Sequence, residues 1–180
     1  MKPDSLRARL LLIEDHAPTA EMLQAILQAI GFSKITHALN TAQAIEALKA
    51  SAFDLILCDF QLGIVNGLML IRMIRRPDGL GNPNVPIVMV TAHADQDRVS
   101  EALAAGVDDF LVKPVQPDVM TRCLSSLLER PRTFVKTKTY AGPDRRRKQI
   151  PDHPGRRHDD GQPRSLVNQP KNKWIVPPKS

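Results

Sequence analysis

Cysteine is scarce: there are two in 180 residues, Cys58 and Cys123, each inside an apolar run. Their separation fits neither a metal-ligand pattern nor a disulfide framework, so both read as buried thiols in a reducing compartment. Long apolar stretches are missing as well. The run Leu10-Leu11-Leu12-Ile13 ends in Glu14-Asp15, and nothing approaches the ~20 apolar residues of a membrane span. No signal-peptide pattern is visible. The expected setting is soluble and cytoplasmic, without a membrane partner. Aromatics make up only 4% of the chain, too few for a platform that stacks successive bases.

Charge is present, but unevenly. Residues 1–130 hold 12 Lys/Arg against 15 Asp/Glu, whereas 131–180 hold 13 against 4. An acidic domain of net −3 is therefore followed by a basic tail of net +9, and the overall +6 hides the asymmetry. A domain over 1–130 is large enough to bury a core without staples. The segment 131–180 carries eight of the fifteen prolines and shows neither helical nor strand period, the composition of a disordered or extended segment.

Along 1–130, short apolar runs alternate with helical patterns. Strand-like runs fall at Leu10–Ile13, Lys34–Ala38, Phe53–Asp59, Val85–Val90 and Phe110–Val112. The first helix starts near Pro18, carries Met22, Leu23, Ile26, Leu27 and Ile30 on its apolar face, and stops at Gly31. Thr41 is the expected cap of the second. Leu68, Ile71, Met73 and Ile74 mark the third, before a loop punctuated by Gly79, Gly81, Pro83 and Pro86. Asp95 caps the fourth and Gly106 closes it; Pro117 opens the fifth, with Val119 to Leu128 supplying its apolar face. Five strand–helix units in alternation predict an α/β three-layer sandwich with a parallel sheet. Right-handed crossovers favour the flavodoxin-like (βα)5 order 2-1-3-4-5.

The polar residues sit where these strands run out: Glu14 and Asp15 after the first, Asp59 ending the third, Thr91 the fourth, and Lys113 after the fifth. If the first and third strands are neighbours, three carboxylates meet on one rim. Two such charges ~4 Å apart repel by about 4 kcal/mol at an effective dielectric of 20. An all-oxygen cluster of this kind suits Mg²⁺, which keeps waters and binds through a few carboxylates plus a phosphate. A nearby lysine and threonine could neutralise and hydrogen-bond an added phosphoryl group. Taken singly, Asp and Thr after strands commonly begin turns or cap helices; it is their joint placement that points to a site.

The segments LLLIEDH, LILCDFQLGIVNG, PIVMVTAH and AAGVDDFLVKP resemble the receiver domain of bacterial two-component response regulators over residues 9–129. The resemblance implies that Asp59 is the phosphoacceptor, taking the group from a sensor histidine kinase or a histidine phosphotransfer protein. It implies Mg²⁺ held by Asp15, Asp59 and the backbone carbonyl of Gln61, with Glu14 acting through water. Lys113 would pair with the phosphoryl oxygens, Thr91 would move to bond them, and Phe110 would be the switch aromatic turning inward behind it. Lys113-Pro114 would be a cis peptide. Gln61 and His93, two residues beyond Asp59 and Thr91, would tune dephosphorylation; for His93 a catalytic or metal-binding role competes with that of a plain loop histidine. No enzymatic activity is expected beyond self-phosphorylation from a donor and autodephosphorylation. The sequence departs from the pattern in Glu14 for the commoner aspartate, in the missing proline after Asp59, and in a long Pro77–Pro86 loop.

The tail repeats itself loosely, Gly142-Pro143-Asp144-Arg145-Arg146-Arg147 against His153-Pro154-Gly155-Arg156-Arg157. It reads either as a solvated basic extension or as a nucleic-acid or polyanion binder through those arginines. Phe134, Tyr140 and Trp174 are not interleaved with them, and no amphipathic helices suggest a helix-turn-helix. Rival classes fit less well. A dehalogenase-like phosphatase needs a second aspartate two residues after the first, where Ala17 stands; a flavodoxin needs a phosphate loop where Glu14-Asp15 would repel it. A degenerate receiver, acting only as an interaction module, would be expected to lack the acceptor or the lysine. A phosphorylation-linked homodimer through the fourth helix and its neighbours would draw on Arg98, Glu101, Asp108, Asp109 and Arg122.

Overall fold

Every residue of the first strand but its opening arginine is buried, which is what a strand covered on both faces by helices requires. The computed structural model describes residues 7–144 apart from 64, 77, 93, 94, 131, 138 and 139. The expectations placed on His93, on Arg145, Arg146, Arg147, Arg156 and Arg157, and on tail disorder beyond 144 lie outside these residues.

Five parallel strands, β1 (Arg9–Ile13), β2 (Lys34–Ala38), β3 (Leu55–Asp59), β6 (Ile87–Thr91) and β7 (Asp109–Val112), form one sheet in the order β2-β1-β3-β6-β7. Counting these five alone, this is the expected 2-1-3-4-5. The other short strands are β4 (Gln61–Leu62) with β5 (Val65–Asn66), and β8 (Phe134–Lys136) with β9 (Ala141–Pro143), each pair antiparallel. Helices α1 (Ala17–Ile30), α2 (Thr41–Ala50), α3 (Gly67–Arg75), α4 (Gln96–Ala105) and α5 (Pro117–Glu129) cover both faces. The core accordingly divides in two. Leu23, Leu27, Met120 and Leu124 of α1 and α5 pack on one face of the sheet; Ala44, Leu48, Ile71, Ile74 and Ala102 of α2, α3 and α4 pack on the other.

Helix ends follow local chemistry. Gly31 and Gly106 close α1 and α4 in the left-handed conformation, φ 111° and 101°, and Asp95 accepts the Arg98 N–H at 2.9 Å. At α2 the cap is Asn40, whose side chain accepts from the Gln43 N–H, and Thr41 is the first helical residue. Both types cap well, and the register is one residue earlier than expected. Met22, Met73 and Val119 stand more than a third exposed at the margins of their apolar faces.

The described residues between 132 and 144 correct the sequence reading. Strands β8 and β9 pair Phe134 with Pro143, Val135 with Gly142 and Lys136 with Ala141, inside a compact unit that ends at Asp144. The folded domain therefore extends past 130. An isolated hairpin this short is at best marginal in water; here it lies against Arg75 and Gly106.

Candidate functional site

Strand register dictates which side chains meet. Ile13 of β1 lies opposite Cys58 of β3, so the next residues, Glu14 and Asp59, emerge together. Asp59 is opposite Val90 and Thr91 is opposite Val112, which carries Thr91 and Lys113 to the same edge. Glu14, Asp15 and Asp59 each offer an oxygen, all within 4.8 Å of one another. Lys113 Nζ donates to Glu14 Oε2 at 2.8 Å and to Asp59 Oδ2 at 3.0 Å. The five residues that sequence reasoning placed at the strand ends thus share one edge, and the Lys113-Pro114 peptide is cis.

The cleft over these groups is about 480 Å³, lined by Glu14, Asp15, His16, Thr19, Asp59, Gln61, Gly63 and Lys113. Three of these, His16, Thr19 and Gly63, sequence reasoning did not single out; a hydrogen bond of 2.8 Å between His16 Nδ1 and Thr19 Oγ1 fixes the imidazole at the rim. For His16 and Thr19, position just after the first strand was the available signal. A larger groove of about 600 Å³, between α1 and α5, shares no lining residue with the cleft.

Electrostatics explain why the cluster is poised. Glu14 is 1% exposed, and burial, reinforced by the charge of Asp59, holds its carboxyl above the ordinary range despite the Lys113 bonds. For Lys113 burial pulls the other way, but bonds to both carboxylates outweigh it and keep the ammonium protonated. One lysine faces three acidic side chains. The donor set is all oxygen, hard and partly open, which fits a small divalent cation. The scaffold is stiff: His37 Nε2 donates to the Glu14 carbonyl at 2.9 Å. At Gly67, the start of α3, any side chain would run into the Asp59 carbonyl oxygen. Cys58, fully buried beneath the site, has its thiol pushed far up by burial and by Asp59, so it stays protonated.

Thr91 and Phe110 are 3% and 6% exposed. Phe110 lies in the core layer under α2, α3 and α4, so its ring is inward in the arrangement seen. The charges proposed for a dimer face pair within the chain: Arg98 with Asp95, Glu101 with Arg72, Arg122 with Asp118. Asp108 is buried against Arg75 and is not part of any such face.

Comparison with known proteins agrees with this geometry. Residues 10–125 match the response regulator receiver domain, and the chain belongs to that family. It is 35% identical over 127 residues to the DNA-binding response regulator MtrA of Mycobacterium bovis, covering 71% of this chain and 53% of that protein. To the transcriptional regulatory protein ZraR of Klebsiella oxytoca it is 32% identical over 119 residues, 66% of this chain and 26% of the relative. The chain thus spans about half or less of these relatives. Among solved structures, the receiver domain of a sensor histidine kinase from Pseudomonas aeruginosa PAO1 superposes with a TM-score of 0.62 at 28% identity. The match covers 68% of this chain and 98% of that one, whose active-site cleft holds a magnesium ion. The chain carries a receiver domain of two-component signalling, and no helix among the described residues is long and apolar enough to cross a membrane.

Proposed function

We propose that Asp59 accepts a phosphoryl group from a phosphohistidine of a sensor kinase or phosphotransfer protein, and that the resulting acyl phosphate changes which partner the domain binds. One observation carries the reading: Lys113 bridges Glu14 and Asp59 at the mouth of an oxygen-lined cleft on the strand ends. An Asp59 oxygen forms a bond to phosphorus as the phosphorus–nitrogen bond breaks and the donor imidazole leaves. Lys113 then exchanges its carboxylate bond for a phosphoryl oxygen, and the Thr91 hydroxyl donates to another. The work is positioning and charge neutralisation rather than covalent chemistry by further groups. Glu14, Asp15, Asp59 and the Gln61 carbonyl would hold Mg²⁺, which when bound offsets the charge shared by carboxylates and phosphoryl group. Phe110 behind Thr91 makes the inward packing favourable once the threonine is engaged, a population shift between two arrangements. Gln61 at the rim sets water access and hence the lifetime of the acyl phosphate. No activity on other substrates is proposed.

The test is acetyl-phosphate labelling with and without Mg²⁺. Wild-type protein should label only with Mg²⁺, and Asp59→Asn should not label; label persisting in the variant would remove Asp59 from its role. A second reading concerns the net charge of +9 over 131–180: Arg145, Arg146, Arg147, Arg156 and Arg157 bind nucleic acid. A titration across a salt series checks it, and no affinity at low salt would dismiss it.

A further inference from the structure

The hairpin β8–β9 rests on a built surface at the pole opposite the cleft. Arg75, the last residue of α3, is 3% exposed and donates to the carbonyls of Gly106, Pro83 and Val85 at 2.9, 2.6 and 2.7 Å. It also pairs with Asp108 Oδ2 at 2.8 Å. Phe134 of the hairpin lies over this guanidinium, 5.7 Å from ring centroid to its carbon. Backbone meets backbone beside it. A Cβ on Gly106 would stand 2.9 Å from the Ala141 carbonyl oxygen, and one on Gly142 would stand 3.0 Å from the Gly106 Cα and run into the Tyr140 hydroxyl. The Tyr140 hydroxyl donates to the Pro143 carbonyl at 3.0 Å, and the Asp144 N–H closes the hairpin on the Thr133 carbonyl at 2.6 Å.

The docked surface feeds into the responding elements. Gly106 is the C-cap of α4. Two residues on, Asp108 clamps the start of β6 twice: its N–H donates to the Ile87 carbonyl at 2.9 Å, and its carboxylate accepts the Ile87 N–H at 2.8 Å. β6 ends in Thr91, and β7, which begins at Asp109, carries Phe110 and leads into Lys113. Through Arg75 and Asp108 the hairpin is therefore linked to the near ends of β6 and β7, two of the four strands whose far ends form the site. It is docked in an arrangement where Phe110 is already inward.

We propose that the β8–β9 hairpin is an intramolecular partner of the receiver, docking on the Arg75–Gly106–Asp108 surface and favouring the same inward arrangement that phosphorylation of Asp59 favours. The proposal rests on the reading of Asp59 and of the Thr91–Phe110 pair given above. By linkage the coupling is reciprocal: a phosphoryl group tightens the hairpin as much as the docked hairpin tightens phosphoryl binding.

Hydrogen exchange of the full chain tests this, with Mg²⁺ and beryllofluoride as the phosphoryl mimic. Amides in 133–144 should gain about five-fold or more in protection on binding, the lower end of usual coupling, and Asp59→Asn should abolish the gain. Gly142→Leu, a wedge between hairpin and Gly106, should weaken beryllofluoride affinity, followed by fluorine NMR, by the same factor. Phe134→Ala loosens the hairpin from its other side and should act in the same direction. Beryllofluoride bound with hairpin exchange unchanged or faster would overturn the coupling alone. Failure of wild type to bind beryllofluoride would overturn both the coupling and the phosphoacceptor reading.

Discussion

The two poles of the sheet each set a cation against carboxylate, and to opposite effect. At the base, the Arg75 guanidinium meets one carboxylate, three carbonyls and an aromatic lid. Its buried charge is matched, and Asp108 has the Ile87 N–H as a further donor. At the strand ends, Lys113 meets Glu14 and Asp59 with Asp15 close by, so negative charge is in excess. Burial drives Asp108 up and Arg75 down from their ordinary values, and each is partly restored by the other. Glu14 is raised as well, and there the like charge of its neighbour Asp59 adds to the cost of burial. A saturated pair fixes structure; an unsaturated cluster waits for a ligand.

The sharpest way to break this contrast is at the base. Asp108→Ala leaves a buried guanidinium without its counter-charge, and removing one member of a buried pair costs about 3–5 kcal/mol. That is a large share of the roughly 5–15 kcal/mol holding a typical domain together. Urea unfolding should show this loss with or without Mg²⁺. A change below about 1 kcal/mol would mean the base pole is not the anchor described. At the other pole, Lys113→Ala should cost about 1.5–3 kcal/mol in metal-free protein, the usual worth of hydrogen bonds to charged groups. Saturating Mg²⁺ should restore most of it, because a cation can replace the ammonium there. Equal losses with and without Mg²⁺ would erase the distinction between the poles.

Periodicity and turn chemistry made the five main strands, the five helices, the glycine and Asp95 caps and the sheet order legible, and strand-end position made the carboxylate cluster legible. These signals are local, and parallel pairing turns them into a site. What was not legible depends on tertiary partners. Arg75 occupies the position after Ile74 on the buried face of α3, but apolar periodicity assigns a charge to solvent; the Asp108 carboxylate and the carbonyls of Pro83, Val85 and Gly106 make its burial tolerable. Asn40 and Thr41 are both competent caps, so a one-residue register is settled by packing. The hairpin has strands of three residues, too short for a period to emerge from a proline-rich stretch. His16 and Thr19 line the cleft only because α1 starts directly beneath its rim.

The smallest expected effect concerns protons at the site pole. Burial and Asp59 raise Glu14, so the metal-free folded state binds its proton more tightly than the unfolded chain does. The sign follows: as pH rises from the ordinary glutamate value through the raised one, Glu14 withdraws stability, and as pH falls it returns it. Mg²⁺ requires the ionised form and must displace that proton, so its affinity weakens as pH drops through the raised value. The Mg²⁺-induced rise in Tm should therefore shrink as pH falls from neutrality toward the ordinary glutamate range, and in Glu14→Gln this slope should flatten. The base pole offers no such handle, since Mg²⁺ has no place beside a satisfied guanidinium. A Mg²⁺ shift that stays constant over that fall in pH in wild type would show that Glu14 is ionised throughout, and that the excess negative charge is already balanced by Lys113 alone.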